Sequence, residues 1–419
     1  MKTSPTTFAI LTLGCKVNQY ESQLLRERMS RSGCREDRAD PGLLIINTCA
    51  VTARAEAKAR KLIRRKLAEF PRAEIVIVGC GRRYSRLLGR DLENLVPPPR
   101  RGRFPFSPDG EGLRATTFAA GRSRPLVKVQ DGCDAFCAYC VIPLVRGRPS
   151  SRPAAGVLAE IAGLVKAGYR EIVLTGINLG LYRDRDLDLA GLVERACRLP
   201  GDFRLRLSSV EPEEKTAALG RLIASERRLC PHLHLPLQSG SDRVLELMNR
   251  GYTIGGYREL AASLRSDCPD LALSTDCLVG FPGESEADFQ LTCRAVEELG
   301  FSRVHIFPYS SRPLTEASQT PAPPRETVKA RAAILGKAAL RAADRYREGF
   351  RGETVEVLVE SLSGAGEGSG LERHYLRTVI RGPGLKPGGI FRGRVSGIEQ
   401  GELRAELIGK PVPSPPAAD

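Results

Sequence analysis

The chain alternates short apolar runs with amphipathic stretches along most of its length, then changes near its end to a pattern of period two. Residues 8–13, 43–47 and 74–78 are strand-like runs, the last almost entirely β-branched. Between them, residues 22–30 and the strongly basic residues 53–69 have helical character. Strand–helix alternation implies right-handed crossovers and a parallel sheet. The expectation for residues 1–120 is therefore an α/β, Rossmann-like parallel sheet. It ends in a Pro-, Gly- and Arg-rich linker at residues 97–112.

The alternation then repeats. Strands are expected at residues 126–129, 171–175, 204–208, 232–237, 271–279 and 304–307, with helices filling most gaps, for example 156–167 and 287–299. Six such units predict a partial (β/α)6 TIM-type barrel over residues 121–350, with its chemistry at the C-terminal ends of the strands. A break at Pro321, Pro323 and Pro324 precedes a basic helix over 326–350. Val355, Val357 and Val359 then alternate with Glu356, Leu358 and Glu360, which is strand-like. With further strands at 376–380 and 390–395, residues 351–412 predict a small all-β barrel.

Composition supports this layout. A chain of 419 residues exceeds one ordinary core. Its 42% hydrophobic and 27% charged content describes a globular protein. No apolar run approaches the roughly 18 residues of a membrane span. Lys2, the apolar run 8–13 and Gly14-Cys15 superficially resemble a lipoprotein cleavage site, but the run is shorter than a signal segment, so a cytoplasmic location is expected. Lys and Arg number 64 against 49 acidic residues, a formal charge of +15, which suits a polyanionic partner, nucleic acid first. An Arg-biased composition with no specific partner is the bland alternative.

Twelve cysteines without a secretory signal point to metal or redox chemistry. Cys34, Cys197, Cys230, Cys268, Cys277 and Cys293 stand singly and read as small buried hydrophobes. Cys133, Cys137 and Cys140 form a CxxxCxxC loop directly after the first barrel strand. Three thiolates this close bind three irons of a [4Fe–4S] cube and leave the fourth open to a substrate. A zinc site is the alternative, although zinc favours two pairs of ligands over a tight triplet. Cys15, Cys49 and Cys80 each follow a predicted strand at once, so parallel strands would bring them to one sheet edge, where open α/β sheets bind ligands. They read as a second three-cysteine site, or as three independent buried thiols.

The CxxxCxxC loop at this position resembles the radical S-adenosylmethionine (SAM) superfamily. The added N-terminal triplet narrows the resemblance to the methylthiotransferases, which join a three-cysteine domain, a radical barrel and a C-terminal RNA-binding TRAM barrel. It covers nearly the whole chain. Thr12-Leu-Gly-Cys-Lys-Val-Asn-Gln-Tyr-Glu-Ser22, Asn47-Thr-Cys-Ala-Val-Thr52 and Arg206-Leu-Ser-Ser-Val-Glu-Pro212 are similar to the branch acting on N6-threonylcarbamoyladenosine in tRNA. After Cys80 the chain departs from the family pattern, reading Gly-Arg-Arg-Tyr.

The resemblance implies two [4Fe–4S] clusters, held by Cys15, Cys49, Cys80 and by Cys133, Cys137, Cys140, with SAM on the open iron of the second set. It places Tyr139, Asn178, Ser209, Glu211, Gln238, Ser239 and Arg250 among the SAM-lining residues, with no catalytic residue beyond the cluster ligands. Segments 234–242, 248–250 and 276–284 resemble family segments that line the cofactor. By that resemblance, one SAM would supply a methyl group and a second a radical that removes hydrogen from C2 of the adenine at position 37, where sulfur would be inserted. The partners implied are the anticodon loop of tRNA and an electron donor such as a flavodoxin or ferredoxin. Seven Lys or Arg residues between Arg54 and Lys66 would guide an anticodon stem, or form a solvated charged face. Two other readings stay open: a methylthiotransferase of isopentenyladenosine tRNA or of a ribosomal protein, and a non-catalytic metal-containing RNA-binding protein.

Overall fold

The computed structural model describes residues 6–102, 123–364 and 366–409. The end of the expected linker and the expected boundary at residue 120 lie outside them. The chain forms two compact units.

In the first unit, four parallel strands run in the order Arg35–Glu36, Thr7–Thr12, Leu43–Thr48, Glu74–Gly79. The apolar run that resembled a signal segment is thus an inner strand of a buried sheet. Leu43–Thr48 is buried at every position, as a parallel strand covered on both faces must be. Helices Lys16–Arg31, Ala53–Glu69 and Cys80–Leu87 follow the three longer strands. Thr52, three residues after Cys49, caps the second by accepting from Ala55 N at 3.1 Å. Two further segments, Asp131–Ser150 and Ser310–Gln319, complete this unit. The short helix Ile142–Arg146 packs Val141 and Val145 against Ala50, Cys80 and Tyr84.

The second unit holds six parallel barrel strands in two ladders. One orders Arg204–Leu207, Glu171–Thr175 and Leu126–Lys128; the other orders His232–His234, Ala272–Val279 and Arg303–Pro308. A parallel bridge between Ser209 and His234 joins them at their C-terminal ends. The expected strand over 232–237 is shorter: Pro236 has no N–H to continue the ladder, and Gln238 turns with φ +61°.

Thr354–Ser363, Glu367–Leu371, Arg377–Arg381, Glu402–Leu407 and Ile390–Glu399 close into a five-stranded barrel in that order. Val355, Val357 and Val359 fill its core with Ile380, Phe391, Val395 and Leu403. It is fastened to the N-terminal end of the larger barrel by a buried charge cluster. Glu171, fully buried, accepts from Arg204 Nε at 2.7 Å and Arg206 Nε at 2.8 Å. The same guanidinium groups donate to the carbonyls of Glu356, Leu371, Glu372 and Arg373, at 2.9 to 3.1 Å. Tyr375, held at φ +69°, sets its ring 4.8 Å from both the His232 ring and the Arg206 guanidinium.

Candidate functional site

Three thiols lie at the C-terminal ends of three neighbouring parallel strands. Cys15 stands at the start of Lys16–Arg31, Cys49 directly follows Leu43–Thr48, and Cys80 opens Cys80–Leu87. Close backbone packing brings them together. A Cβ on Gly14 would fall 3.1 Å from Cys49 Cβ, and one on Gly79, which has φ +88°, would fall 2.1 Å from Asn47 Oδ1. Only glycine fits at Gly79, and it aims Cys80 into the group. Cys15 acts electrostatically on both Cys49 and Cys80.

Arg146 is the cation of this site. Its Nε donates to Cys80 Sγ at 3.0 Å, and its Nη2 donates to Asn18 Oδ1 at 3.2 Å. Its Nη1 pairs with Glu21 at 2.8 Å and Asp131 at 2.9 Å. Burial pushes the Cys80 thiol up to about 11, against the pull of Arg146, and burial also raises Cys49. The Glu21 carboxylate, the Cys80 sulfur and Asp131 hold Arg146 firmly charged despite its burial.

The second triplet belongs to the same compact unit. Cys133 N donates to Gly147 O at 3.1 Å, Cys140 N to Cys137 O at 2.9 Å, and Ile142 N to Cys140 Sγ at 3.4 Å. Gly132, with φ +73°, lets the loop turn within 2.1 Å (measured from an added Cβ) of Arg148 O. Cys133, Cys137, Cys140 and Tyr139 are half-buried, and all six cysteines are free thiols. A polar, thiol-rich donor set with backbone N–H groups nearby and no disulfide suits iron–sulfur clusters at both triplets. Five of the remaining cysteines are buried and Cys293 is half-buried.

The Gly-Arg-Arg-Tyr departure after Cys80 has a local purpose. Arg82 pairs with Glu93, Arg83 donates to Val145 O at 3.0 Å, and Tyr84 OH donates to Pro313 O at 2.6 Å. Those bonds tie the cysteine-bearing helix to both added segments of the unit.

In the second unit, the remaining expected residues lie just beyond strand ends, except Arg250, which follows the helix Asp242–Leu247. Arg250 pairs with Glu211 and holds its guanidinium 5.0 Å over the Tyr252 ring. Burial raises the Glu211 carboxyl in spite of that pair. Gln238 spans Asp276 O and Leu278 N through its own backbone, at 2.8 and 2.9 Å, leaving its side chain half-buried. Ser209 bridges to His234. Asn178 Oδ1 caps Gly180 N at 3.0 Å, and Ser239 Oγ accepts from Ser241 N at 3.2 Å, so both serve their own turns. Gln130, absent from the expected set, receives Ile177 N and Asn178 N at 3.1 and 3.0 Å. Arg146 was missed as well. Its only signal in the sequence is its position six residues after Cys140, and nothing else marks it out from the other arginines of this Arg-rich chain.

Six parallel strands, a cysteine triplet after the first and polar groups at the strand ends define a radical SAM enzyme. Residues 127–296 match the radical SAM superfamily, and residues 7–94 match the family described as uncharacterized protein family UPF0004. The chain is 42% identical to the threonylcarbamoyladenosine tRNA methylthiotransferase MtaB of Chlamydia pneumoniae, covering 85% of this chain and 88% of that one. It is 36% identical to the protein of the same name from Thermotoga maritima, covering 97% and 99%. It is also 34% identical to the tRNA-2-methylthio-N(6)-dimethylallyladenosine synthase of Chlorobium chlorochromatii, covering 98% of both. Among solved structures, the radical SAM methyltransferase TsrM of Kitasatospora setae shares the fold, with a TM-score of 0.53 over 75% of this chain and 77% of that one at 15% identity.

The chain therefore belongs to the radical SAM methylthiotransferase family. It is an enzyme that uses SAM and [4Fe–4S] clusters, which removes the non-catalytic RNA-binding reading. Among the described residues no helix is long and apolar enough to cross a membrane.

Proposed function

We propose that this enzyme methylthiolates C2 of N6-threonylcarbamoyladenosine at position 37 of tRNA, in the cytoplasm, with a flavodoxin or ferredoxin as electron donor. The observation that carries the sulfur-inserting half is the placement of both cysteine triplets in one compact unit, with Arg146 against Cys80. We assign Cys133, Cys137 and Cys140 to the SAM-binding cluster and Cys15, Cys49 and Cys80 to the other. By sequence we divide the chain into residues 1–120 as the second-cluster domain, 121–350 as the radical domain and 351–412 as a TRAM-like RNA-binding domain, with segments 131–150 and 310–319 of the radical domain packed into the first compact unit.

When bound, the clusters and SAM supply the radical that removes the C2 hydrogen and the sulfur and methyl group that replace it. The chain's own residues do the rest. Arg146 fixes Cys80 and balances thiolate charge. Glu211, Gln238 and Arg250 offer polar groups at the mouth of the barrel to the amino, carboxylate and ribose groups of SAM. Exposed Arg54, Lys58, Lys61, Arg64 and Arg65 present a cationic helix face to RNA phosphates. Relatives named for both threonylcarbamoyl- and dimethylallyladenosine keep the second substrate as the alternative.

The test is mass analysis of tRNA nucleosides from a deletion strain, combined with anaerobic iron counting. Loss of the 2-methylthio-threonylcarbamoyl nucleoside alone is expected. Its persistence, with loss of the isopentenyl counterpart, overturns the substrate. Changing Cys137 should abolish SAM cleavage, whereas changing Cys49 should spare SAM cleavage and abolish sulfur insertion.

A further inference from the structure

Three strands of the larger barrel bring together side chains that are not among the seven individual SAM-lining residues expected above, although His234 and Asp276 open two of the segments that resemble cofactor-lining ones. His234 ends His232–His234, Asp276 lies in Ala272–Val279, and His305 lies in Arg303–Pro308. Asp276 and His305 are register partners, and Ser274, two residues earlier, is the partner of His234. Alternation along the strand sets Ser274 and Asp276 on the face opposite Leu273 and Cys277, which belong to the apolar core. They therefore face the barrel interior.

His234 is held at both ring nitrogens. Its Nδ1 is 3.0 Å from Ser274 Oγ and its Nε2 is 3.2 Å from Asp276 Oδ1. One functional atom each from His234, Asp276 and His305 lie within 4.8 Å of one another. The His234 and His305 rings meet edge to face at 5.8 Å. Asp276 keeps 26% of its side chain exposed, so a ligand reaches it without rearrangement. Two residues beyond His305, Phe307 is 45% exposed, with its ring 6.4 Å from that of His305 and only 29° from parallel.

We propose that this group is the subsite that reads the N6 appendage of the target purine. Phe307 offers the base a stacking face. Asp276 accepts a ureido N–H of the appendage, and His305 donates to its carbonyl or carboxylate. His234 acts as a positioning residue that fixes Asp276. This rests on the threonylcarbamoyl reading and deepens it.

The chemistry distinguishes the two candidate substrates. A threonylcarbamoyl group carries N–H donors, a carbonyl, a hydroxyl and a carboxylate; an isopentenyl group carries only carbon and hydrogen. A carboxylate beside imidazole donors pairs with the first and is desolvated without compensation by the second. Sites built on hydrogen bonds reject analogues that lack them far more strongly than apolar pockets discriminate by size. Two histidines and an aspartate also make a metal donor set. Here both nitrogens of His234 are already engaged, by Ser274 and by Asp276, which favours an organic ligand.

The test uses the full-length, cluster-loaded enzyme and anticodon stem–loop RNAs bearing threonylcarbamoyladenosine or isopentenyladenosine. Dissociation constants and 2-methylthio product are measured for both. Wild type should prefer the threonylcarbamoyl RNA. His305→Phe and Asp276→Leu should each erase that preference by at least about tenfold, with iron per chain retained. His305→Gln, which keeps a donor, should restore most of it. An unchanged preference in both apolar variants overturns the subsite while leaving the substrate reading intact. A wild-type preference for isopentenyl RNA overturns both. A stoichiometric non-iron metal lost on His305→Phe would make the group a metal site instead.

Discussion

Arg146 donates a 3.0 Å hydrogen bond from Nε to the Sγ of Cys80 while its side chain is only 4% exposed. The same guanidinium joins Glu21, Asp131 and Asn18. It thus links the first helix, the start of the CxxxCxxC loop and a thiol of the N-terminal triplet. Arg146→Ala would leave two carboxylates around an emptied buried cation position, a loss of about 3 kcal/mol. Arg146→Lys keeps the charge but not the fork and should be intermediate. Urea unfolding of the apoprotein and iron per chain after reconstitution measure the two effects. The alanine variant should lose stability and close to half the iron. Full retention of both would show that the contact holds nothing in place.

The buried cluster around Glu171 supports a second prediction. Burial opposes ionisation of Glu171, yet Arg206 and Arg204 outweigh it and hold the carboxyl far below its usual range. A depressed carboxylate contributes stability above its unfolded pKa of about 4.3, and loses it as pH falls towards the folded value. Glu171→Gln leaves two buried guanidinium groups facing a neutral amide and should cost about 3–5 kcal/mol at pH 7. Denaturant unfolding at pH 7 and pH 4 should show the gap between wild type and variant narrowing on the acid side. A constant gap would place the loss in packing.

A third prediction has the opposite sign. His374 lies between Glu372 and Asp270, with Nδ1 2.8 Å from one carboxylate and Nε2 2.9 Å from the other. Burial lowers its pKa, but the two hydrogen-bonded carboxylates prevail and push it up to about 9. Stability from this contact is complete below the unfolded pKa of about 6.5 and is lost as pH rises through about 9. The loss amounts to as much as about 3 kcal/mol. His374→Gln should flatten the decline between pH 6.5 and 9.5 in thermal or urea unfolding. An equally steep decline in the variant would assign it to other groups.

Local pattern made much of this architecture legible. The helix over 53–69 and the strand over 171–175 fall where their periodicity predicts. So do the inward valines of the C-terminal barrel. Strand-then-cysteine spacing carried the three thiols to one sheet edge because parallel neighbours share an end. The strands Glu367–Leu371 and Glu402–Leu407 were missed. The first carries two glycines, and the second alternates charged and apolar residues too briefly to stand out without its barrel partners. Arg146 and the His234–Asp276–His305 group were hidden for a different reason. Each depends on residues brought together across strands or loops, and no sequence spacing records which side chains then face one another. The roles of Asn178 and Ser239 at their own turns were invisible for the same reason.

The cationic face of the helix Ala53–Glu69 gives the last prediction. Ala59 and Ile63 are buried against the sheet, whereas Arg54, Lys58, Lys61, Arg64 and Arg65 point outward and are exposed. Arg60 and Lys66 are turned to Glu56 and Glu69 within the helix, so the outward five carry the available charge. If they contact phosphates, each contact releases condensed counterions and adds about 0.7–0.9 to the slope of log affinity against log salt. Lys61→Gln with Arg64→Gln should weaken tRNA binding and reduce that slope by about 1.5. Neither side chain packs into the core, so folding and iron content should hold. Fluorescence anisotropy with labelled tRNA between 50 and 200 mM salt, at roughly the range over which such contacts act, reads both quantities. A weaker affinity with an unchanged slope would mean that shape, not charge, was altered. An unchanged affinity and slope would mean that the helix faces water throughout the reaction.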